Sequence, residues 1–113
     1  LTPIRSVELT PGPIVAPTAT RPEVEQAMKE HGVDWVGIGT GDILLGWVWG
    51  ADVADTAGGA DPKPFSVWLT PDHSLREALD SVVSSHTGVA VVFEDDAYLG
   101  MLSIEQISRH LVA

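Results

Sequence analysis

The chain carries one pattern twice. Residues 35–53 read WVGIGTGDILLGWVWGADV and residues 89–107 read VAVVFEDDAYLGMLSIEQI. A constant offset of 54 superimposes them, so that Leu45-Gly46 falls on Leu99-Gly100, Asp42 on Asp96 and Val53 on Ile107. A helical stretch precedes each copy, over 21–31 and 74–85. Self-similarity at a fixed period decides the architecture before any local reading does. It also turns the search for function away from a catalytic cluster and towards a cleft between two like halves.

Local signals fill in each half. Pro3, Pro11, Pro13 and Pro17 exclude a long helix from residues 1–20, because proline fixes φ and removes a donor. Residues 4–9 are a candidate edge strand or the tail of a linker, and residues 14–15 a further short strand. Thr20 is a candidate N-cap ahead of Pro22 and Glu23, and Val24, Ala27, Met28 and His31 make a helical stripe ended by Gly32. Residues 35–38 and 43–49 flank the turn Gly39-Thr40-Gly41-Asp42 and predict a hairpin, with a short helix over 51–57. The Gly58-Gly59 to Pro62-Lys63-Pro64 stretch is a loop between the halves. Residues 65–69 predict a strand, Ser74 with Glu77 a capping box, and Leu75, Ala78, Leu79, Val82 and Val83 the buried side of a second helix. Residues 89–93 and 98–102 repeat the hairpin. Ser103 then caps a last helix with Ile104, Ile107, His110 and Leu111 on its apolar side. The expected organisation is a linker or N-terminal arm over 1–13, a first repeat over 14–57, a loop over 58–64 and a second repeat over 65–113. Each half reads strand–helix–strand–strand–helix, an α+β fold. One half cannot bury both faces of a three-stranded sheet, so the two are expected to pack sheet to sheet.

Sixteen acids against six bases give a net charge of −10. Nucleic-acid binding needs a basic stripe and none exists; docking on anionic lipid is opposed for the same reason. A single nucleotide is not excluded, since backbone N–H groups receive a phosphate locally. The 113 residues contain no cysteine, which removes disulfides, thiolate chemistry and Cys-ligated zinc. No apolar run is long enough to span a bilayer, and no signal-peptide core is present. Leu1 in place of a start methionine reads as a piece of a longer, cytoplasmic protein. Gly37-Ile-Gly-Thr-Gly-Asp mimics a phosphate loop but joins two strands instead of opening a helix. His31, His73, His86 and His110 lack metal-site spacing, and Glu94-Asp95-Asp96 reads as a solvated turn. No nucleophile–base pairing stands out. The segment is expected to be no enzyme, with no catalytic residue and no metal site.

The order of elements and two short motifs, Tyr98-Leu-Gly-Met-Leu-Ser-Ile-Glu-Gln-Ile and Leu44-Leu-Gly-Trp-Val-Trp-Gly-Ala-Asp-Val, resemble the tandem CBS domain pair, or Bateman module, over about residues 10–113. The resemblance implies two repeats related by a pseudo-two-fold axis, a homodimer, and a regulatory ligand such as AMP, ATP or cyclic di-AMP. Leu1-Thr-Pro-Ile-Arg-Ser-Val-Glu-Leu further resembles the junction after the nucleotide-binding domain of glycine betaine (quaternary amine) ABC importers. That implies an ABC ATPase domain upstream in the same chain, a role in osmoregulation, and a place at the inner face of the membrane. Degenerate dimerisation modules and regulatory inserts of another enzyme or transporter remain the alternatives.

The family motif puts Ser or Thr before the last helix and Asp three residues on, for phosphate and ribose. The first repeat offers Trp49 and Asp52; the second offers Ser103 and Gln106. Neither is complete, and a solvated acid at Asp52 and a plain N-cap at Ser103 are the competing readings. Thr70, ahead of the second helix, is a further ligand-binding candidate. Trp47 and Trp49 share a strand face, with Trp35 and Trp68 on other strands. Such rings stack on adenine or cage a quaternary ammonium, and core or dimer interface is the favoured alternative. Two chains of −10 repel, so dimers are expected to tighten with salt.

Overall fold

The computed structural model describes residues 1–111. It divides into two compact units, one from Gly12 to Phe65 and one joining Leu1–Pro11 to the chain from Ser66 onward. The first unit contains β1 (Ile14–Val15), α1 (Arg21–His31), β2 (Trp35–Thr40) and β3 (Ile43–Trp49). The second contains β4 (Trp68–Leu69), α2 (Leu75–Val83), β5 (Val89–Glu94), β6 (Ala97–Ser103) and α3 (Ile104–Leu111). Each sheet has three strands, in the orders β1-β2-β3 and β4-β5-β6. In each, the short first strand runs parallel to the second, and the second and third form an antiparallel hairpin.

The helices start where their sequences can satisfy free N–H groups. Thr20 with Glu23, and Ser74 with Glu77, form reciprocal capping boxes; Gly32 ends α1 in the left-handed region at φ 63°, a conformation that favours glycine. Strand alternation then divides the sheet faces. Val36, Ile38 and Val48 pack with Val24 of α1, leaving Trp35, Trp47 and Trp49 on the opposite face. In the second unit Ala90, Val92 and Leu102 pack with Leu75, Ala78 and Val82 of α2 and Ile107 of α3.

The duplication reaches fine detail. The hairpins share a register shift, between Ile38 and Gly39 and between Val92 and Phe93. Gly46 and Gly100 both sit at φ 154°.

Val83, expected on the buried side of α2, is 74% exposed at the last turn of the helix, and three expected elements change. Within residues 4–9, a candidate edge strand, Ile4–Ser6 is a 3-10 turn. The Ile4 and Arg5 N–H groups are taken by the His73 and Pro71 carbonyls at 2.8 and 2.9 Å, so the arm crosses the turn before α2 instead of lying along a strand. The helix predicted over 51–57 is replaced by two 3-10 turns, Gly50–Asp52 and Ala57–Ala60. Glycine at 50, 58 and 59 weakens helix propagation, and the bridge between Thr20 and Thr56 draws the chain back to the start of α1. The strand predicted over 65–69 shortens to Trp68–Leu69.

A feature without a sequence signal closes each unit. Ile4 N–H donates to the His73 carbonyl, and Ala57 N–H donates to the Ala19 carbonyl at 2.9 Å. Thr10 exchanges both backbone bonds with Met101 at 3.1 and 2.7 Å, and Lys63 exchanges both with Trp47 at 2.8 and 2.9 Å. Residues 3–10 and 56–63 are therefore equivalent straps. Ile4 and Ala57, at equivalent places in the two straps, are 1% and 0% exposed, and Val7 is also buried. The N-terminal arm belongs to the second unit, and the segment between the repeats to the first.

Candidate functional site

A candidate site lies in the first unit, where β2 begins and β3 ends. Trp35 and Trp49 are directly paired there, and Gly50 N–H donates to the Asp34 carbonyl at 2.9 Å. A β-carbon at Gly50 would overlap the Met28 sulfur, so glycine is what lets α1 come this close. Met28, Val33, Asp34, Trp49 and Ala51 line a pocket of about 540 Å³, within the usual range for small-molecule sites.

Aromatic contacts set its wall. The Trp47 and Trp49 rings meet edge to face, with centroids 4.8 Å apart and an interplanar angle of 89°. Trp35 meets Phe65 at 6.3 Å and 78°, and the Lys63 ammonium lies 5.5 Å from the Trp47 ring centroid. Trp49 is half-buried, so part of its ring faces the pocket. Such a lining accepts a planar base against the indole, and the Asp34 carboxylate accepts hydrogen bonds from an amine or hydroxyl.

Asp52 ends the 3-10 turn that follows Trp49 and is exposed. Trp49 makes no capping bond. The phosphate arrangement that the motif implies, a hydroxyl at the head of an α-helix, is therefore not formed after β3. The nearby cation is Arg21, which donates to the Val53 carbonyl and pairs with Glu25 at 3.0 Å.

In the second unit the candidates are engaged with one another. Ser103 N–H donates to Gln106 Oε1 at 3.0 Å, and Gln106 N–H donates to Ser103 Oγ at 3.3 Å. This is a capping box at the head of α3. Thr70 N–H donates to His73 Nδ1 at 2.9 Å, with the Thr70 hydroxyl 3.1 Å from the same nitrogen. Leu69 pairs with Val92, whereas Ser103 pairs with Val89. Thr70 thus lies near the other end of the sheet, displaced by roughly 13 Å along the strands and by two strands across the sheet. The structure does not bring Thr70 together with Ser103 and Gln106.

Asp34 is the site residue that sequence reasoning missed. Its signal was its place immediately before Trp35, the residue paired with Trp49. Two further pockets are less suited. One of about 440 Å³ is rimmed by Glu23 and Glu30, whose charges oppose a phosphate. The other, beside Arg5 and Glu94, is about 170 Å³, below the usual ligand range. Among the described residues no group of His, Asp and Glu is placed to hold a metal ion, and no helix is long and apolar enough to cross a membrane.

The CBS domain family profile matches residues 61–113. No curated protein matches the chain. Solved structures match it almost end to end. A CBS domain pair/ACT domain protein from Thermotoga maritima has a TM-score of 0.80 at 14% identity, covering 98% of this chain and 97% of that one. CBSX2 from Arabidopsis thaliana has a TM-score of 0.80 at 14% identity, covering 98% and 94%, and has also been solved in complex with AMP. The CBS domain of a bacterial CNNM/CorC family Mg2+ transporter, in complex with ATP, has a TM-score of 0.73 at 17% identity, covering 98% and 87%. The chain has the fold of a tandem CBS domain pair, two strand-helix-strand-strand-helix repeats. CBS domain pairs are non-catalytic regulatory modules.

Proposed function

We propose that this chain is a non-catalytic regulatory module that binds an adenine nucleotide at the Trp49 pocket of its first repeat. The observation that carries the reading is that pocket: an indole wall, an apolar floor and a carboxylate, at the sheet end where the first repeat places Trp49 and Asp52. AMP and ATP in two proteins of the same fold support the ligand class. The finer reading is control of an osmoprotectant (glycine betaine or choline) ABC importer ATPase, as a homodimer at the cytoplasmic face of the membrane, with cyclic di-AMP or ionic strength as further inputs. The resemblance of residues 1–9 to an importer junction supports it.

The test is calorimetry and thermal shift with AMP, ATP, cyclic di-AMP and glycine betaine. A ligand at about 100 times its dissociation constant adds about 2.7 kcal/mol, several degrees in Tm. The expected result is a shift with one adenine compound, lost in Trp49→Ala and weakened in Asp34→Ala. For the importer, the readout is ATPase activity of the ABC subunit in proteoliposomes, with and without the module, across salt and nucleotide concentrations. A dimerisation module without a ligand is the second reading, favoured by the closed Ser103–Gln106 box. No shift with any compound, together with a dimer in sedimentation, selects it.

A further inference from the structure

Both repeats have a strap on the hairpin, and in the first unit the strap carries a side chain that touches an aromatic relay. In the second unit Thr10 pairs with Met101, and the residue two further along β6 is Ser103. In the first unit the equivalent places hold Lys63, Trp47 and Trp49. Lys63 exchanges both backbone bonds with Trp47 and sets its ammonium 5.5 Å from the centre of the same ring. Trp47 in turn meets Trp49 edge to face at 4.8 Å, and Trp49 is a wall of the 540 Å³ pocket. Gly46 permits the approach, because a β-carbon there would overlap the Lys63 carbonyl oxygen.

We propose that Lys63 is a positioning residue: through Trp47 it fixes the plane of the Trp49 indole, and so couples docking of the segment between the repeats to occupancy of the pocket. The physical argument is geometric. An edge-to-face pair holds its angle only if one partner is fixed, and Trp47, 5% exposed, joined to Lys63 by both backbone bonds and faced by its ammonium, has little freedom to tilt. Trp49, half-buried, meets that partner edge to face and lines the pocket. The ligand side of the proposal rests on the reading of the pocket as a nucleotide site. The relay itself does not.

The test uses the whole chain with Lys63→Ala and Lys63→Arg, and with Trp47→Leu as the reference for a broken relay. The relay is read without ligand, as the exciton couplet of the Trp47–Trp49 pair in far-UV circular dichroism. The consequence is read as AMP affinity by calorimetry. Lys63→Ala is expected to shrink the couplet towards that of Trp47→Leu and to raise the AMP Kd about 2–5-fold, the size of an exposed cation–π contact. Lys63→Arg keeps a cation over the ring and is expected to restore both. A parental couplet in Lys63→Ala overturns the positioning role. Parental AMP affinity in Trp49→Ala overturns the nucleotide reading instead and leaves the couplet result standing. Lys63 is exposed, so its variants keep the core; backbone amide exchange at Trp47 and Lys63 reports whether the strap stays docked.

Discussion

Gly46 and Gly100 show how little room the straps leave. Both sit at φ 154°, and at Gly100 a β-carbon would stand 2.7 Å from Leu9 Cβ and 2.9 Å from the Thr10 carbonyl. Neither neighbour can swing away, because Thr10 is held by two backbone bonds. Gly46→Ala and Gly100→Ala are each expected to cost about 1–3 kcal/mol, read as a lower urea midpoint. Each Leu-Gly pair was legible in the sequence as a repeat mark. Its reason was not, since the straps that press on the glycines share no residues. Ser103 shows the opposite limit. Ser-x-x-Gln is at once a capping box and a remnant of a ligand motif, and a hydroxyl has the same chemistry in either. The structure closes the box, so Ser103→Ala is expected to cost about 1 kcal/mol and to leave AMP affinity unchanged in calorimetry.

At the level of elements, the start of α1 ties stability to pH. Glu23 accepts from the Thr20 N–H at 3.1 Å, and that backbone bond, aided by the Thr20 hydroxyl, holds its carboxyl below the ordinary carboxylate value. A lowered folded pKa means stability present above the unfolded pKa and lost as pH falls through the folded one. Glu23→Gln is therefore expected to flatten the acid limb of a Tm-versus-pH curve. Tyr98 works in the other direction. Burial pushes its phenol above the ordinary value, and its hydroxyl donates to the Pro11 carbonyl at 2.7 Å. That contribution is present below the unfolded pKa and is lost as pH rises through the folded one. In a spectrophotometric titration, Tyr98 is expected to ionise only above the range of a free phenol. The helices and hairpins were readable because period, caps and turn residues agreed. The straps were not: single-residue bridges and 3-10 turns have no period, and their partners lie up to 91 residues away.

For the whole molecule, charge and connectivity matter most. A net charge of −10 repels itself, and screening relieves it, so Tm is expected to rise with sodium chloride up to physiological strength and beyond. The exposed ion pairs oppose this only weakly. Removing residues 1–11 is expected to cost several kcal/mol: Ile4 and Val7 leave the core of the second unit, at about 1.5–3 kcal/mol each. The division of the chain also sets an order of events during translation. Gly12–Phe65 is continuous, so the first repeat has all its parts once residue 65 clears the ribosome. Residues 1–11 are made before the first repeat and docked after it. They must wait, undocked and carrying Ile4 and Val7, until Met101 has emerged, so a nascent chain stalled between the repeats presents a completed first repeat preceded by a strap whose partner has not yet been made.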